Sequence, residues 1–274
     1  MKNKQTPILI SLVILICLFL TSCSTFENFQ VNMGWKNKDF DYIKNNKVGK
    51  IVIQSTRDTG FRFVVTDHRT ISELYSLLSS AKDVSKKSGL QADYIFELHI
   101  GKEIKKFNYV VGIYDKKIGN FYDESNIYSV SKRLDNDIIQ NLSFIRKPRE
   151  FENVYYPSIL QTLKENKDTL LESGKVGIDL SGDVDCAKYI FSTDLEDFKR
   201  DLKEILPDAE IVNRNKEDFR VIVSVKNQGY KTKTFKTIVS IDNKDDKSQT
   251  NYYVNCTYDS DWQIEISTSK PNSW

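Results

Sequence analysis

A long apolar run near the start is the first pattern in the chain. Positions 8–20 are apolar except for Ser11, and Lys2 and Lys4 precede them. A helix of this length is roughly 20 Å long, whereas a bilayer core of about 30 Å needs around twenty residues. A basic start, a short apolar region and small residues before a cut site are typical of a secretory signal peptide. We therefore predict that residues 1–22 are removed.

The next segment, residues 23–47, has no sustained apolar period. It mixes Asn, Lys and Asp with aromatic residues. We interpret it as a tether that leads to the first domain. Its aromatic residues could instead rest on a membrane interface or fold onto that domain, and the pattern alone does not separate these alternatives.

Residues 48–147 have the pattern of an α+β domain. Its predicted order of elements is ββαβββα, which differs from the βαβ repeat of nucleotide-binding domains. The sequence Thr70-Ile71-Ser72-Glu73 matches a capping box, so Thr70 is the predicted N-cap of the first helix. The predicted strands lie at about 51–53, 61–65, 94–100, 107–114 and 127–130, and the helices at about 71–81 and 134–145.

A polar stretch around Pro148 predicts the boundary of a second α+β domain, residues 148–274. We predict a helix with Pro157 in its first turn that ends at Gly174. A second capping box makes Thr193 the predicted N-cap of a later helix. Helices followed by an antiparallel meander are similar in order to a cystatin-like layer. The predicted strands lie at about 176–180, 209–213, 218–226, 230–241, 249–258 and 261–268.

The residues Leu20-Thr21-Ser22-Cys23 resemble the lipobox of bacterial lipoproteins. The resemblance implies that Cys23 receives diacylglycerol and becomes the new N-terminus, on the extracytoplasmic side of the cell membrane. Each buried methylene contributes about 0.8 kcal/mol and one chain holds only marginally, so a diacylated cysteine makes a stable anchor.

Four segments of the first domain stand out together: Lys50–Ile53, the helical stripe from Ile71 to Ala81, Ala92–Leu98 and Ile127–Val130. They resemble a family of small lipoproteins from Gram-positive spore-forming bacteria. The resemblance covers residues from about 48 to 145. It implies a location and a fold, and no particular activity.

Charge excludes one class of partner. Residues 1–22 contain two lysines and no acidic residue, so their removal leaves equal numbers of basic and acidic side chains. Nucleic-acid binding needs a basic excess that displaces counterions from phosphates. We therefore expect no nucleic-acid partner.

The sequence contains no familiar catalytic or cofactor motif, so we expect no cofactor and no catalytic residues. Glu97 and His99 share one face of a strand, but no third metal ligand lies near them in the sequence. The acidic loop with Asp179, Asp183 and Asp185 does not have the spacing of an EF-hand. We therefore expect no metal site.

Two cysteines remain beyond Cys23, and two states are open to them. Cys186 and Cys256 could form a disulfide, which exported proteins tolerate, or could be two small buried residues. Cys256 is in phase with Val254, so we predict that it faces the core.

The last four predicted strands give one apolar and one polar face. The apolar face should pack against the helix at 193–206 and includes Phe219, Val223, Val239 and Trp262. The polar face is our candidate binding surface, because hydroxyls, amides and one aromatic ring suit a glycan or a polar protein surface. A plain solvated sheet is the alternative. The residues that we place at the centre of the polar face are Tyr253, Asn255, Thr257 and Gln263.

These features predict a non-catalytic binding or accessory module of the cell envelope. Its expected partners are the membrane, through the lipid anchor, and an envelope protein or a glycan. A solute-binding lipoprotein of a transporter is the alternative, and a cell-wall hydrolase is a further one. A solute-binding lipoprotein normally has two lobes of alternating strands and helices, and a hydrolase needs a cluster of catalytic residues.

Overall fold

The computed structural model describes residues 33, 36–44, 47–139, 147–272 and 274. Their strands form a seven-stranded sheet, a six-stranded sheet and a short two-stranded pair. The strands of the first large sheet end at Ser129 and those of the second begin at Val176. Each sheet has its own buried core, which confirms the predicted α+β class with two small domains.

The first domain contains helices α1 (Asp41–Lys44) and α2 (His68–Ser79) and a π-helix at Leu134–Ile139. Its large sheet has the order β2-β1-β5-β6-β8-β9-β3, while β4 and β7 pair separately. The predicted hairpin is confirmed as β5 and β6, although β6 runs from Glu103 to Tyr109 rather than from 107 to 114. The strands are β1 (Val48–Ser55), β2 (Arg62–Val65), β3 (Lys82–Asp83), β4 (Lys86–Lys87), β5 (Tyr94–Ile100), β6 (Glu103–Tyr109), β7 (Ile118–Gly119), β8 (Phe121–Tyr122) and β9 (Ile127–Ser129).

Part of the predicted tether belongs to the first domain. Phe40 and Ile43 are 1% and 2% exposed in its core. Asn37 donates through Nδ2 to the carbonyl oxygens of Leu78 and Ala81 at the end of α2. Of the alternatives for the aromatic residues of 23–47, the structure shows Phe40 folded onto the first domain, where its ring packs against the rings of Phe107, Phe121 and Tyr128.

Helix α2 begins earlier than its capping box predicts. The N-cap is Asp67, whose carboxylate accepts hydrogen bonds from the backbone N–H and the hydroxyl of Thr70. These bonds hold the pKa of Asp67 below its usual value. The prediction of Thr70 as N-cap is wrong because the helix begins three residues earlier, where Asp67 caps it through the amide of Thr70.

The second domain contains helices α3 (Glu152–Glu165), α4 (Lys167–Glu172), α5 (Val184–Ala187) and α6 (Ser192–Ile205), with a 3-10 turn at Lys216–Asp218. Its sheet has the order β11-β10-β12-β13-β14-β15. The last four strands form the predicted antiparallel meander. The strands are β10 (Val176–Asp179), β11 (Glu210–Ile211), β12 (Val221–Lys231), β13 (Thr234–Asn243), β14 (Ser248–Tyr258) and β15 (Trp262–Ser267).

Three features of this domain differ from the prediction. Strand β10 pairs in parallel with β11 and β12, so the sheet is mixed rather than a simple meander. Helix α3 begins at Glu152, which places Pro157 inside it. The helix that contacts β13, β14 and β15 is α3, and α6 packs on α3. The apolar stripe of α6 still reaches the core, because Phe198 and Leu202 are 1% exposed.

A buried polar network joins the two domains at the start of α6. Asp93 accepts hydrogen bonds from the backbone N–H of Ser192 (2.8 Å) and of Val111 (2.9 Å), and pairs with Arg57 at 2.6 Å. Arg57 also donates to the Ser192 hydroxyl at 2.7 Å. Helix α6 therefore starts at Ser192, with its first amide bonded to a carboxylate of the other domain. The predicted N-cap Thr193 instead approaches the carbonyl of Val111.

Candidate functional site

The four residues predicted for the binding surface lie together on one face of the second sheet. Tyr253, Asn255 and Thr257 alternate along β14 with the buried Val254 and Cys256. Strand register places Thr257 opposite Gln263 of β15 and opposite Thr234 of β13. We call the side of the second sheet that faces away from α3 the polar face. It consists of the side chains of β12 to β15 that point away from α3.

Asn255 lies at the middle of the polar face. Its cross-strand neighbours are Lys236 on β13 and Glu265 on β15. Opposite neighbours on a sheet have Cβ atoms about 5 Å apart, within reach of one small ligand group. An amide between a cation and an anion can both donate and accept hydrogen bonds, so the centre of the face is suited to hydroxyl groups.

The structure adds an aromatic residue that the sequence analysis missed. The ring of Trp274 lies edge-on to the ring of Tyr253, with 5.2 Å between their centroids. Lys236 Nζ is 5.7 Å from the centre of the Trp274 ring. The only sequence signal was a tryptophan in a polar segment after the last strand. The polar face therefore carries an aromatic pair rather than one exposed tyrosine.

Apolar side chains also reach this side of the sheet. Ile238 stands opposite Tyr253 in the strand register. Phe219 packs over Gly177, where an added Cβ would lie 2.6 Å from Phe219 Cγ. Because Gly177 alternates with the core residues Val176 and Ile178, Phe219 lies on the outer side. The prediction that Phe219 faces the core is therefore wrong, although it is buried.

The two cysteines are free thiols in the structure, and both are buried. Cys256 Sγ lies 3.4 Å from the hydroxyl of Ser158 on α3. Burial, followed by the charge of Asp183, raises the pKa of the Cys186 thiol far above its usual value. Of the two alternatives, disulfide or buried thiols, the structure shows two buried thiols. A thiol with a raised pKa is also unsuited to act as a nucleophile.

The candidate metal ligands do not converge. Glu97 accepts from Lys106 at 2.8 Å and lies 3.7 Å from His99. Asp179 pairs with Lys216, whereas Asp183 accepts from the backbone N–H of Asn227 at 3.2 Å. Across the described ranges, no group of three His, Cys, Asp or Glu side chains could hold a metal ion.

Acidic residues line a groove between α3 and α6. Its volume is about 200 Å³, and its carboxylates come from Glu152, Asp194, Asp197 and Asp201. Burial and then the charge of Glu152 raise the pKa of Asp194 to about 6. The groove therefore repels anions at neutral pH, and it is distinct from the polar face.

Comparison with known proteins gives one match. Residues 44–148 match the sequence model of a family described as YhfM protein, over a little more than a third of the chain. The first domain is thus similar to that family, in nearly the region where the sequence resemblance falls. No curated protein and no solved structure matches the chain significantly. In the part of the chain that the structure describes, no helix is long and apolar enough to cross a membrane.

Proposed function

We propose that this protein is a lipid-anchored, extracytoplasmic binding module that captures a glycan of the cell envelope on its polar face. The observation that carries the proposal is the aromatic pair of Tyr253 and Trp274 beside the amide of Asn255. Rigid aromatic rings give contact area at low entropic cost, and amides and hydroxyls give adaptable hydrogen bonds. This combination fits sugar rings, which have both apolar faces and hydroxyl edges.

The anchor in this proposal rests on the lipobox Leu20-Thr21-Ser22-Cys23. Those residues lie outside the described residues. The first domain begins by Lys36, and a chain reaches at most about 3.5 Å per residue. The thirteen residues from Cys23 to Lys36 therefore keep the module within about 45 Å of the lipid headgroups. Such a reach favours a partner in the membrane-proximal envelope.

The alternative functions gain less support. A solute-binding lipoprotein would have two lobes of alternating strands and helices with a ligand between them, whereas both large sheets here are mainly antiparallel. A cell-wall hydrolase would need a cluster of reactive side chains. The two thiols among the described residues are buried and have raised pKa values, which makes them poor nucleophiles. Binding without catalysis remains the function that these features support best.

The test of binding uses the full-length lipidated protein and insoluble wall glycan. We expect the wild type to sediment with the glycan, and the double variant Tyr253→Ala/Asn255→Ala to lose at least about tenfold in affinity, because about 1 kcal/mol per contact is typical for such groups. The matched control is Glu97→Gln/His99→Gln, which changes two residues on the outward side of the first sheet. Equal binding by both variants and the wild type would refute the glycan proposal. Capture of an envelope protein instead, lost in the same variant, would identify a protein partner.

The test of anchoring is separate. We expect Cys23 to incorporate labelled lipid and the mature mass to lack residues 1–22. The Cys23→Ala protein should lose both the label and the membrane association. A Cys23→Ala protein that stays in the membrane with an unchanged mature mass would contradict the anchor.

A further inference from the structure

A basic cavity opens on the first domain, away from the residues of the polar face. Its volume is about 520 Å³, within the range of sites that hold small molecules. Three segments meet there: the end of α2 with β3, the loop after β6, and the residues around the end of β9. They bring together Lys82, Lys116 and Lys132, which are far apart in the sequence.

The charged side chains that line this cavity are of one sign. No Asp or Glu is among its described lining residues, and each of the other three cavities considered has at least one carboxylate. Carboxylates lie beyond the lining: burial, followed by the charges of Asp135 and Asp194, raises the pKa of Tyr114. Lys82, Lys116 and Lys132 form no ion pair with any described residue. Three unpaired ammonium groups around one opening favour an anionic occupant.

Hydroxyl donors accompany the lysines. Ser129 on β9 is the cross-strand neighbour of Lys82 on β3. Ser131 accepts from the backbone N–H of Arg133 at 3.3 Å, so its hydroxyl proton remains available to a ligand. Ammonium and hydroxyl donors in one place match the acceptor oxygens of a phosphate group.

The carbonyl groups at the C-terminal end of helix α2 do not exclude an anion from the cavity. A helix C-terminus presents carbonyl oxygens that disfavour an anion. Here the Ser80 N–H and hydroxyl donate to the Leu77 carbonyl, and Asn37 donates to the carbonyls of Leu78 and Ala81. These three carbonyl groups at the end of the helix are thus already bonded within the protein.

One aromatic side chain borders the cavity. Tyr114 is 68% exposed, and Lys132 Nζ lies 6.0 Å from the centre of its ring. An exposed ring beside the lysines can cover the carbon atoms of a ligand while the ammonium groups hold its charge. The cavity therefore suits an organic phosphate better than a bare inorganic ion.

We infer that this cavity is a binding site for a small organic phosphate, held by Lys82, Lys116 and Lys132 with Ser129 and Ser131 as hydroxyl donors. The shared chemistry is a phosphate ester on a small organic group, whether it is a free metabolite or the headgroup of a lipid. The site does not depend on the polar face of the second sheet, and it stands or falls separately from the glycan proposal.

Calorimetric titration of the full chain in nonionic detergent at low salt tests the site. The probes are glycerol phosphate, inorganic phosphate, glycerophosphoglycerol as the headgroup of phosphatidylglycerol, and uncharged glycerol. We expect glycerol phosphate to bind with a dissociation constant below about 1 mM, and glycerol not to bind. Tighter binding of glycerophosphoglycerol would identify a lipid source, and tighter binding of glycerol phosphate a free phosphate ester.

The decisive variants are two triple substitutions with the same change of charge. Lys82→Gln/Lys116→Gln/Lys132→Gln should weaken binding by at least about tenfold, since three lysine contacts of modest strength are lost. Lys231→Gln/Lys233→Gln/Lys270→Gln, at exposed positions of the second domain, should change it less than about twofold. If the first triple variant fails to fold, Lys116→Gln alone should weaken binding. Equal loss in both triple variants, unchanged binding in Lys116→Gln, or no binding of any phosphate probe would overturn the inference.

Discussion

The outward sides of the two large sheets differ in how their polar groups are satisfied. On the first sheet, Glu97 accepts from Lys106 at 2.8 Å and lies within 3.8 Å of Arg62 and 3.7 Å of His99. The hydrogen bond from Lys106 is the largest cause of a pKa of Glu97 below its usual value. The charges on this side therefore pair largely with one another.

The polar face of the second sheet is built from other chemistry. Amides and hydroxyls dominate it, at positions such as Asn255, Thr257 and Gln263, and an aromatic pair lies beside them. A side whose charges already pair internally must break those pairs before it can bind a partner. The amides and hydroxyls of the polar face can exchange water for a partner without breaking an ion pair of their own, so of the two sides the second is better suited to recognition.

The largest expected effect concerns the junction that joins the two sheets. Asp93→Ala removes the carboxylate that holds Arg57, Ser192 and Val111, and leaves a partly buried cation without its partner. We expect a loss of about 3–5 kcal/mol in the free energy of unfolding, measured by chemical denaturation. Asp58→Ala, in the exposed turn nearby, should cost less than about 1 kcal/mol. Similar losses in both variants would show that the junction does not couple the domains.

The second effect is a dependence of stability on pH. Burial raises the pKa of Asp135, Asp183 and Asp194 to about 6 each. Because the folded state then binds more protons than the unfolded state between about pH 4 and 6, stability falls as the pH rises through this window. We expect the free energy of unfolding to be about 3 kcal/mol greater at pH 5 than at pH 7, since each of the three carboxyl groups contributes about 1 kcal/mol.

Asp183 allows a matched test of that dependence in the second domain. Asp183→Asn should remove about 1 kcal/mol of the gain between pH 7 and 5. Asp185→Asn, at an exposed position two residues away, should reduce the gain only slightly, because the charge of Asp185 is the smallest of the causes that raise the pKa of Asp183. Denaturant titrations at the two pH values measure both. A protein that is less stable at pH 5 than at pH 7 would contradict the assignment.

The third effect tests the paired charges of the first sheet. Glu97→Gln should cost about 0.5–1 kcal/mol at low salt, because Lys106 and Arg62 then lose their shared carboxylate. The cost should shrink in 1 M salt, where the Debye length is about 3 Å. A cost that is equal at both salt concentrations would mean that packing, and not charge, holds Glu97.

The smallest effect belongs to the polar face. Asn255→Ala should change the free energy of unfolding by no more than about 0.5 kcal/mol, because no hydrogen bond within the described residues uses its side chain. Thr237→Ala is the contrast on β13: that side chain is fully buried and donates to the Lys226 carbonyl. If Asn255→Ala were the more costly of the two, the polar face would be structural rather than free for a partner.

Local patterns predicted most of the strands but fewer of the helix starts. Alternation in the segments of β5, β12, β13 and β14 gave the correct inward faces, because side chains on a strand point alternately to its two sides. The capping boxes at Thr70 and Thr193 misplaced their helix starts. In the first case Asp67 caps the helix by accepting from the amide of Thr70. In the second case Asp93 of the other domain accepts from the amide of Ser192.

The candidate site was also only partly accessible from sequence. Tyr253, Asn255, Thr257 and Gln263 share a face because of strand period and register. Trp274 could not be assigned, because a residue after the last strand has no period that fixes its position. No pattern in the sequence predicted that Lys82, Lys116 and Lys132 lie together, since none of them belongs to a common motif.

What the sequence determined by itself is therefore the part that depends on neighbours along the chain: the α+β class, most of the strands, and their inward and outward sides. Only the tertiary structure decided that Asp93 bonds the first amide of α6, that Phe40 enters a core, and that three distant lysines surround one cavity. The physical reason is that such contacts join residues far apart in the chain, and their geometry follows from how whole elements pack rather than from local propensity.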